Sequence, residues 1–208
     1  MDTRLNQVIQ YVKSLLMSET TGHDFHHALR VMNNAVQISK NMEIDLDIVK
    51  VAALTHDLID QKVTRDITKS LTDVEKTLSK IGYTVNEVET VIYIIKNISY
   101  SKGNIPDSLE GKIVQDADRL EALGAIGIAR TFAFGGKNNR MIYNPDIKDN
   151  SDSISHFYDK LLKLKDLMNT KEAKKIAEKR TAYMVEFLNR FYLEWEGKDV
   201  KKFFFRVL

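Results

Sequence analysis

The chain has 208 residues, 43% hydrophobic and 29% charged, the proportions of an ordinary globular protein with enough apolar material for a sizeable core. It contains no cysteine, which excludes disulfides, thiolate zinc sites and cysteine nucleophiles and leaves any metal to His, carboxylate and water. The formal net charge of +2 argues against a broad basic surface for nucleic acid, although residues 156–208 alone carry 13 Lys/Arg against 8 Asp/Glu.

The first residues are amphipathic: Leu5, Val8, Ile9, Val12, Leu15 and Leu16 recur at helical spacing, which predicts a helix over 3–17 rather than a signal peptide. No apolar run approaches the roughly 18–20 residues of a membrane span, so a cytoplasmic protein without membrane association is expected. A second helix is predicted over 23–41, with Leu29, Met32, Val36 and Ile38 among its apolar positions. Asp45 reads as the N-cap of a third helix ending near Asp60. Thr72 with Glu75 and Thr84 with Glu87 have capping-box spacing, and Gly82 between them reads as a helix stop, which predicts helices over 70–81 and 85–98.

The stretch SYSKGNIPDS, 99–108, is a loop by its Gly, Pro and Ser content. A helix or helix pair is predicted over 108–134, followed by a long irregular stretch over 135–153, GGKNNRMIYNPDIKDNSDS. Two further helices are predicted over 154–168 and 171–194. No useful strand alternation interrupts this pattern, so an all-α fold of roughly nine helices is expected.

Three segments place His or Asp in apolar helical surroundings, where an unpartnered charge is costly. In GHDFHHALRV, 22–31, His23, His26 and His27 are candidates for a metal ligand, and Arg30 follows His27 by three residues on a shared face. In VAALTHDLIDQK, 51–62, His56 and Asp57 are adjacent and Asp60 lies one turn on; apolar residues on both sides weigh against a surface helix end. In KIVQDADRLEALG, 112–124, Asp118 has Val114 and Ala122 at four residues either side and is expected to face inward toward a cation. Asp116 is expected to pair with Lys112 or Arg119. Two His and two Asp from three helices form a nitrogen–oxygen donor set suited to one divalent ion, with positions left for water and substrate.

This order of residues on an all-helical chain resembles the HD superfamily of metal-dependent phosphohydrolases. The resemblance gives His27 of GHDFHHALRV, His56 and Asp57 of THDLID, and Asp118 of DADRLEALG the role of metal ligands. It implies a single domain over 1–208, with 154–208 as a helical extension packed on the metal-binding core. The segments HFYDKLLKLKDLMNT, 156–170, and FYLEWEG resemble a small, stand-alone bacterial branch associated with nucleotide phosphohydrolase or pyrophosphohydrolase activity. The expected cofactor is one Mn2+ or Mg2+, with Fe2+, Co2+, Ni2+ or Zn2+ as other occupants.

Two departures from other HD branches are visible. Hydrolases of (p)ppGpp carry Glu-Asp three and four residues after the HD Asp, where this chain has Asp60 and Gln61. Cyclic-dinucleotide phosphodiesterases carry Gly-Tyr-Pro, a tripeptide absent from this sequence. The expected substrate is therefore a small phosphorylated compound such as a nucleotide. In its sharpest form the activity is cleavage of a (deoxy)nucleoside triphosphate to monophosphate and pyrophosphate, with a nucleoside monophosphatase or a non-catalytic regulatory domain as alternatives. Asp60 and His23 are the candidate acid–base residues. Arg30, Lys62 and Lys163 are the candidate phosphate-binding cations. Tyr100 reads as a core or loop aromatic, with a base pocket as the alternative, and the C-terminal FFFRVL as an element of the core or of an interface.

Overall fold

A computed structural model describes residues 3–17, 22–61, 63–98, 104–146 and 151–199. Lys62, Tyr100 and FFFRVL lie outside the described residues. Among the described residues there are nine α-helices and no strand. These are α1 (Thr3–Leu16), α2 (Phe25–Ile38), α3 (Leu46–Thr55), α4 (Ile67–Ile81), α5 (Val85–Asn97), α6 (Leu109–Glu121), α7 (Gly124–Lys137), α8 (Ser155–Asp159) and α9 (Lys171–Trp195). None of them is long and apolar enough to cross a membrane.

Local chemistry explains most boundaries. Asp45 caps α3 by accepting from the amides of Asp47 and Ile48. Thr84 and Glu87 form the full capping box of α5, and Gly82 ends α4 in the left-handed region at φ 106°. Three boundaries differ from the sequence expectation. Helix α4 begins at Ile67, because Asp66 accepts from the Lys69 amide, while the Thr72 hydroxyl is spent inside the helix on the Thr68 carbonyl. Helix α3 stops at Thr55 and tightens into a 3-10 turn over His56–Ile59. The helix expected over 154–168 is a short α8 followed by a 3-10 stretch, Leu161–Leu167; its buried Leu161 and Leu164 are three residues apart, the period of that helix.

The centre of the fold is a mutual packing of α2, α3 and α6, with α5 against α3 and α6 and with α1 across α2, α3 and α4. Helix α9 packs on α7, α6 and the 3-10 stretch, so the buried apolar residues from Val8 in α1 to Leu188 in α9 form one continuous core. Helix α7 follows α6 almost directly. A Cβ on its buried Gly127 would run into the backbone carbonyl of Ala122, which no side-chain rotation relieves. Gly127→Ala is therefore expected to destabilise the fold by about 3 kcal/mol, the upper end of ordinary overpacking, read as a lower urea midpoint with unchanged m-value.

Candidate metal centre

His27 belongs to the first turn of α2, where Asp24 caps the helix by accepting from the His27 amide at 2.7 Å. His56 and Asp57 occupy the 3-10 turn at the end of α3. There His56 Nδ1 donates to the Ala53 carbonyl at 2.8 Å, which leaves Nε2 as the donor atom for an ion. Asp118 is presented from α6. Because α2, α3 and α6 touch one another, these segments meet.

The meeting is close. His27 Nε2 lies 3.2 Å from Asp57 Oδ2 and 3.4 Å from Asp118 Oδ1. His56 Nε2 lies 3.2 Å from Asp57 Oδ1 and 3.6 Å from Asp118 Oδ1. Donor atoms bonded to one ion at about 2.1 Å stand about 3 Å from each other, so these separations suit the edges of a coordination polyhedron. His27 Nε2 and His56 Nε2 are buried without a hydrogen-bond partner, which is costly unless an ion fills the gap between them. The residues present fit one divalent ion. His27 is fully buried, whereas the Asp118 side chain is 33% exposed, so the cluster opens toward solvent on the Asp118 side.

The electrostatics agree with the donor chemistry. Burial opposes ionisation of Asp57, but His56, His23 and His27 hold its carboxyl well below the usual range. Burial likewise opposes ionisation of Asp118, and hydrogen bonds from His27 and His56 prevail, again holding it well below. Burial alone would depress His27, yet Asp118, Asp57 and Glu121 push it up to about 10. His56 is also raised, by Asp57 and Asp118 against its burial. With His27 pushed up to about 10, an ion entering at neutral pH competes with a proton on His27, so affinity should rise with pH. Titration of the protein with Zn2+ in buffers of different ionisation enthalpy is expected to show proton release at pH 8, which should disappear in the His27→Ala variant.

The other expected residues take varied places. His23 Nδ1 lies 2.9 Å from Asp57 Oδ2, so the cluster contains two overlapping ligand groups, His27–His56–Asp118 and His23–His27–Asp57. Asp60 is half-buried, ends the 3-10 turn, and belongs to neither ligand group. Arg30 Nε donates to Glu121 Oε2 at 2.6 Å. Lys163 is exposed on the 3-10 stretch. The Asp116 carboxylate accepts from both Asn169 nitrogens and from the amide and hydroxyl of Thr170 at 2.8–2.9 Å, and the charge of Arg119 also acts on it. Arg119 also donates to the Leu167 carbonyl.

Sequence reasoning missed Glu121, Asn34 and Arg180. Glu121 is 2% exposed, Asn34 Nδ2 donates to its Oε1 at 3.2 Å, and Arg180 Nη2 donates to Asn34 Oδ1 at 3.0 Å. The available signal was Glu121 standing three residues after Asp118, on the same face of α6. Arg30, Asn33, Glu121 and Arg180 also line a cavity of about 360 Å3 beside the cluster.

Fold and site together define a class: an all-helical protein whose central helices gather imidazoles and carboxylates able to hold a divalent ion. The HD domain family matches residues 24–123, the span that contains all four of His27, His56, Asp57 and Asp118. The uncharacterized protein YpgQ of Bacillus subtilis is 40% identical over 199 residues, covering 94% of this chain and 95% of the relative. A crystal structure of Bacillus subtilis YpgQ in complex with ADP superposes with a TM-score of 0.80 at 39% identity, covering 92% of this chain and 94% of that one. A crystal structure described as an HD-superfamily hydrolase, from Bacillus thuringiensis, superposes with a TM-score of 0.77 at 41% identity, covering 92% and 96%. The chain belongs to the HD-domain superfamily of hydrolases.

Proposed function

We propose that the protein hydrolyses phosphoric anhydride bonds of nucleotides, converting a (deoxy)nucleoside triphosphate to monophosphate and pyrophosphate with one Mn2+ or Mg2+ held by His27, His56, Asp57 and Asp118. The observation that carries the reading is the convergence of two buried Nε2 atoms and two ionised carboxylates at 3.2–3.6 Å, open on one side. The ADP complex of Bacillus subtilis YpgQ supports a nucleotide as the ligand class.

When bound, the ion supplies Lewis acidity toward a phosphoryl oxygen and toward water. The protein's own groups do the rest. Asp60, at the end of the turn that carries His56 and Asp57, takes the proton from the attacking water. His23, anchored through Nδ1 on Asp57, protonates the leaving oxygen. Arg30 and Arg180 bring two guanidinium groups to the cavity beside the cluster, where the phosphate chain of a nucleotide is neutralised. Lys62 and Lys163 are further candidate phosphate contacts.

A nucleotide panel assayed with Mn2+, separating pyrophosphate from orthophosphate and using Asp57→Ala as control, tests the reading. Pyrophosphate release that the substitution removes supports it. Orthophosphate release from monophosphates replaces it with a nucleotidase. Tight metal binding without turnover of any nucleotide replaces it with a regulatory domain.

A further inference from the structure

We propose that Glu121 is a positioning residue for His27: its buried carboxylate holds the Nδ1–H form of the ring and so turns the Nε2 lone pair toward the divalent ion. The inference rests on the metal reading above.

The His27 ring is fully buried between two sets of carboxylates. Nε2 faces Asp57 and Asp118 at 3.2 and 3.4 Å, while Nδ1, buried and without a hydrogen bond, faces Glu121 Oε2 at 3.5 Å, a short shift from hydrogen-bond contact. A neutral imidazole carries one N–H, and the nitrogen that ligates an ion cannot be the one that carries it. Whatever holds the proton on Nδ1 therefore decides which nitrogen is offered to the cluster. His56 meets the same requirement with the Ala53 carbonyl at 2.8 Å from its Nδ1. His27 lies in the first turn of α2, and the acceptor set against its Nδ1 is Glu121, one turn beyond Asp118 on α6.

Glu121 is held directly from α2 and, through Asn34, from α9. Arg30 Nε donates to Oε2 at 2.6 Å and Asn34 Nδ2 donates to Oε1 at 3.2 Å, both from α2. Asn34 is in turn held by Arg180 of α9, which also donates through Nη1 to the Leu120 carbonyl at 2.7 Å. An anionic acceptor raises the basicity of the imidazole it holds, which a neutral amide in the same place does much less. The C-terminal helix thus reaches the metal centre through Arg180, Asn34 and Glu121 without touching the ion.

The test uses the full chain, and its readouts are metal affinity by competition with a chelator and the ring N–H resonances of the zinc-loaded protein. Glu121→Gln is expected to weaken Zn2+ and Mn2+ binding about 10- to 100-fold. The same variant should move the His27 Nδ1–H resonance upfield, and Glu121→Asp, which restores the charge, should recover part of the affinity. Affinity within about threefold of wild type in Glu121→Gln, far below the loss expected for such a contact, overturns the inference and leaves the metal reading intact. If the Gln variant does not fold, the zinc-loaded wild type still decides. A slowly exchanging His27 Nδ1–H resonance supports the proposal, and zinc bound through Nδ1 with the proton on Nε2 overturns it. A wild-type protein that binds neither ion overturns the metal reading and this inference together.

Discussion

Asp57→Ala is expected to lose both the divalent ion and turnover, the largest effect of any single substitution in the protein. Asp57 is 3% exposed and its two oxygens serve three imidazoles: Oδ1 stands 3.2 Å from His56 Nε2, while Oδ2 stands 3.2 Å from His27 Nε2 and 2.9 Å from His23 Nδ1. Alanine removes a ligand and leaves the histidines with one fewer counter-charge, so a cation becomes less welcome at the site rather than merely less well coordinated. Lewis-acid stabilisation is worth several kcal/mol, so turnover should fall about a thousandfold or more at 1.4 kcal/mol per decade. In parallel, Mn2+ should raise the melting temperature of the wild type and leave that of the variant unchanged, since only an ion that binds the native state stabilises it. Nucleotide hydrolysis retained within about tenfold, together with a metal-dependent melting shift, would sink the assignment of Asp57 as a ligand.

Asp116→Ala is expected to produce the largest loss of stability, with metal affinity of the folded protein kept. Asp116 is completely buried, and its carboxylate accepts four hydrogen bonds from Asn169 and Thr170, the two residues that lead into α9. Burial pushes its pKa up, against those bonds, so the carboxylate belongs there only because its acceptors are used. Alanine leaves the Asn169 amide and the Thr170 amide and hydroxyl without this acceptor, while Asn169 Nδ2 keeps Gln115 Oε1, and at 1–3 kcal/mol per buried unpaired group the cost is about 3–5 kcal/mol. Asn is no cure, because its NH2 would face donors where the second oxygen accepts. Urea unfolding followed by far-UV circular dichroism measures the difference. A loss below about 1 kcal/mol would show that the start of α9 is held by packing alone.

The two aspartates of DAD show how far the sequence could be read. Their spacing put them on different faces of α6, and the apolar neighbours of Asp118 directed it inward; the structure places it against His27 and His56. The partner of Asp116 could not be read the same way, because it comes from the start of α9, 53 and 54 residues on. Arg30 is a similar case. Its spacing from His27 placed it near the site, but its ion-pair partner Glu121 is 91 residues away. Helix existence was legible where a cap or an apolar period marks it, as at Asp45, Thr84 and Gly82. It was less legible at α4, where Asp66 outcompeted a capping box that had only the right spacing.

The sequence by itself determined the helical architecture and the chemical character of the site, because apolar period, caps and residue types act over a few residues and are carried by the chain wherever it goes. Only the tertiary structure decided what surrounds each charge: that Glu121 stands behind His27, that Arg180 reaches it through Asn34, and that Asp116 ties down α9. Those pairings form when α2, α6 and α9 pack, and the direction of a side chain across such an interface depends on how the helices cross, which no local spacing encodes.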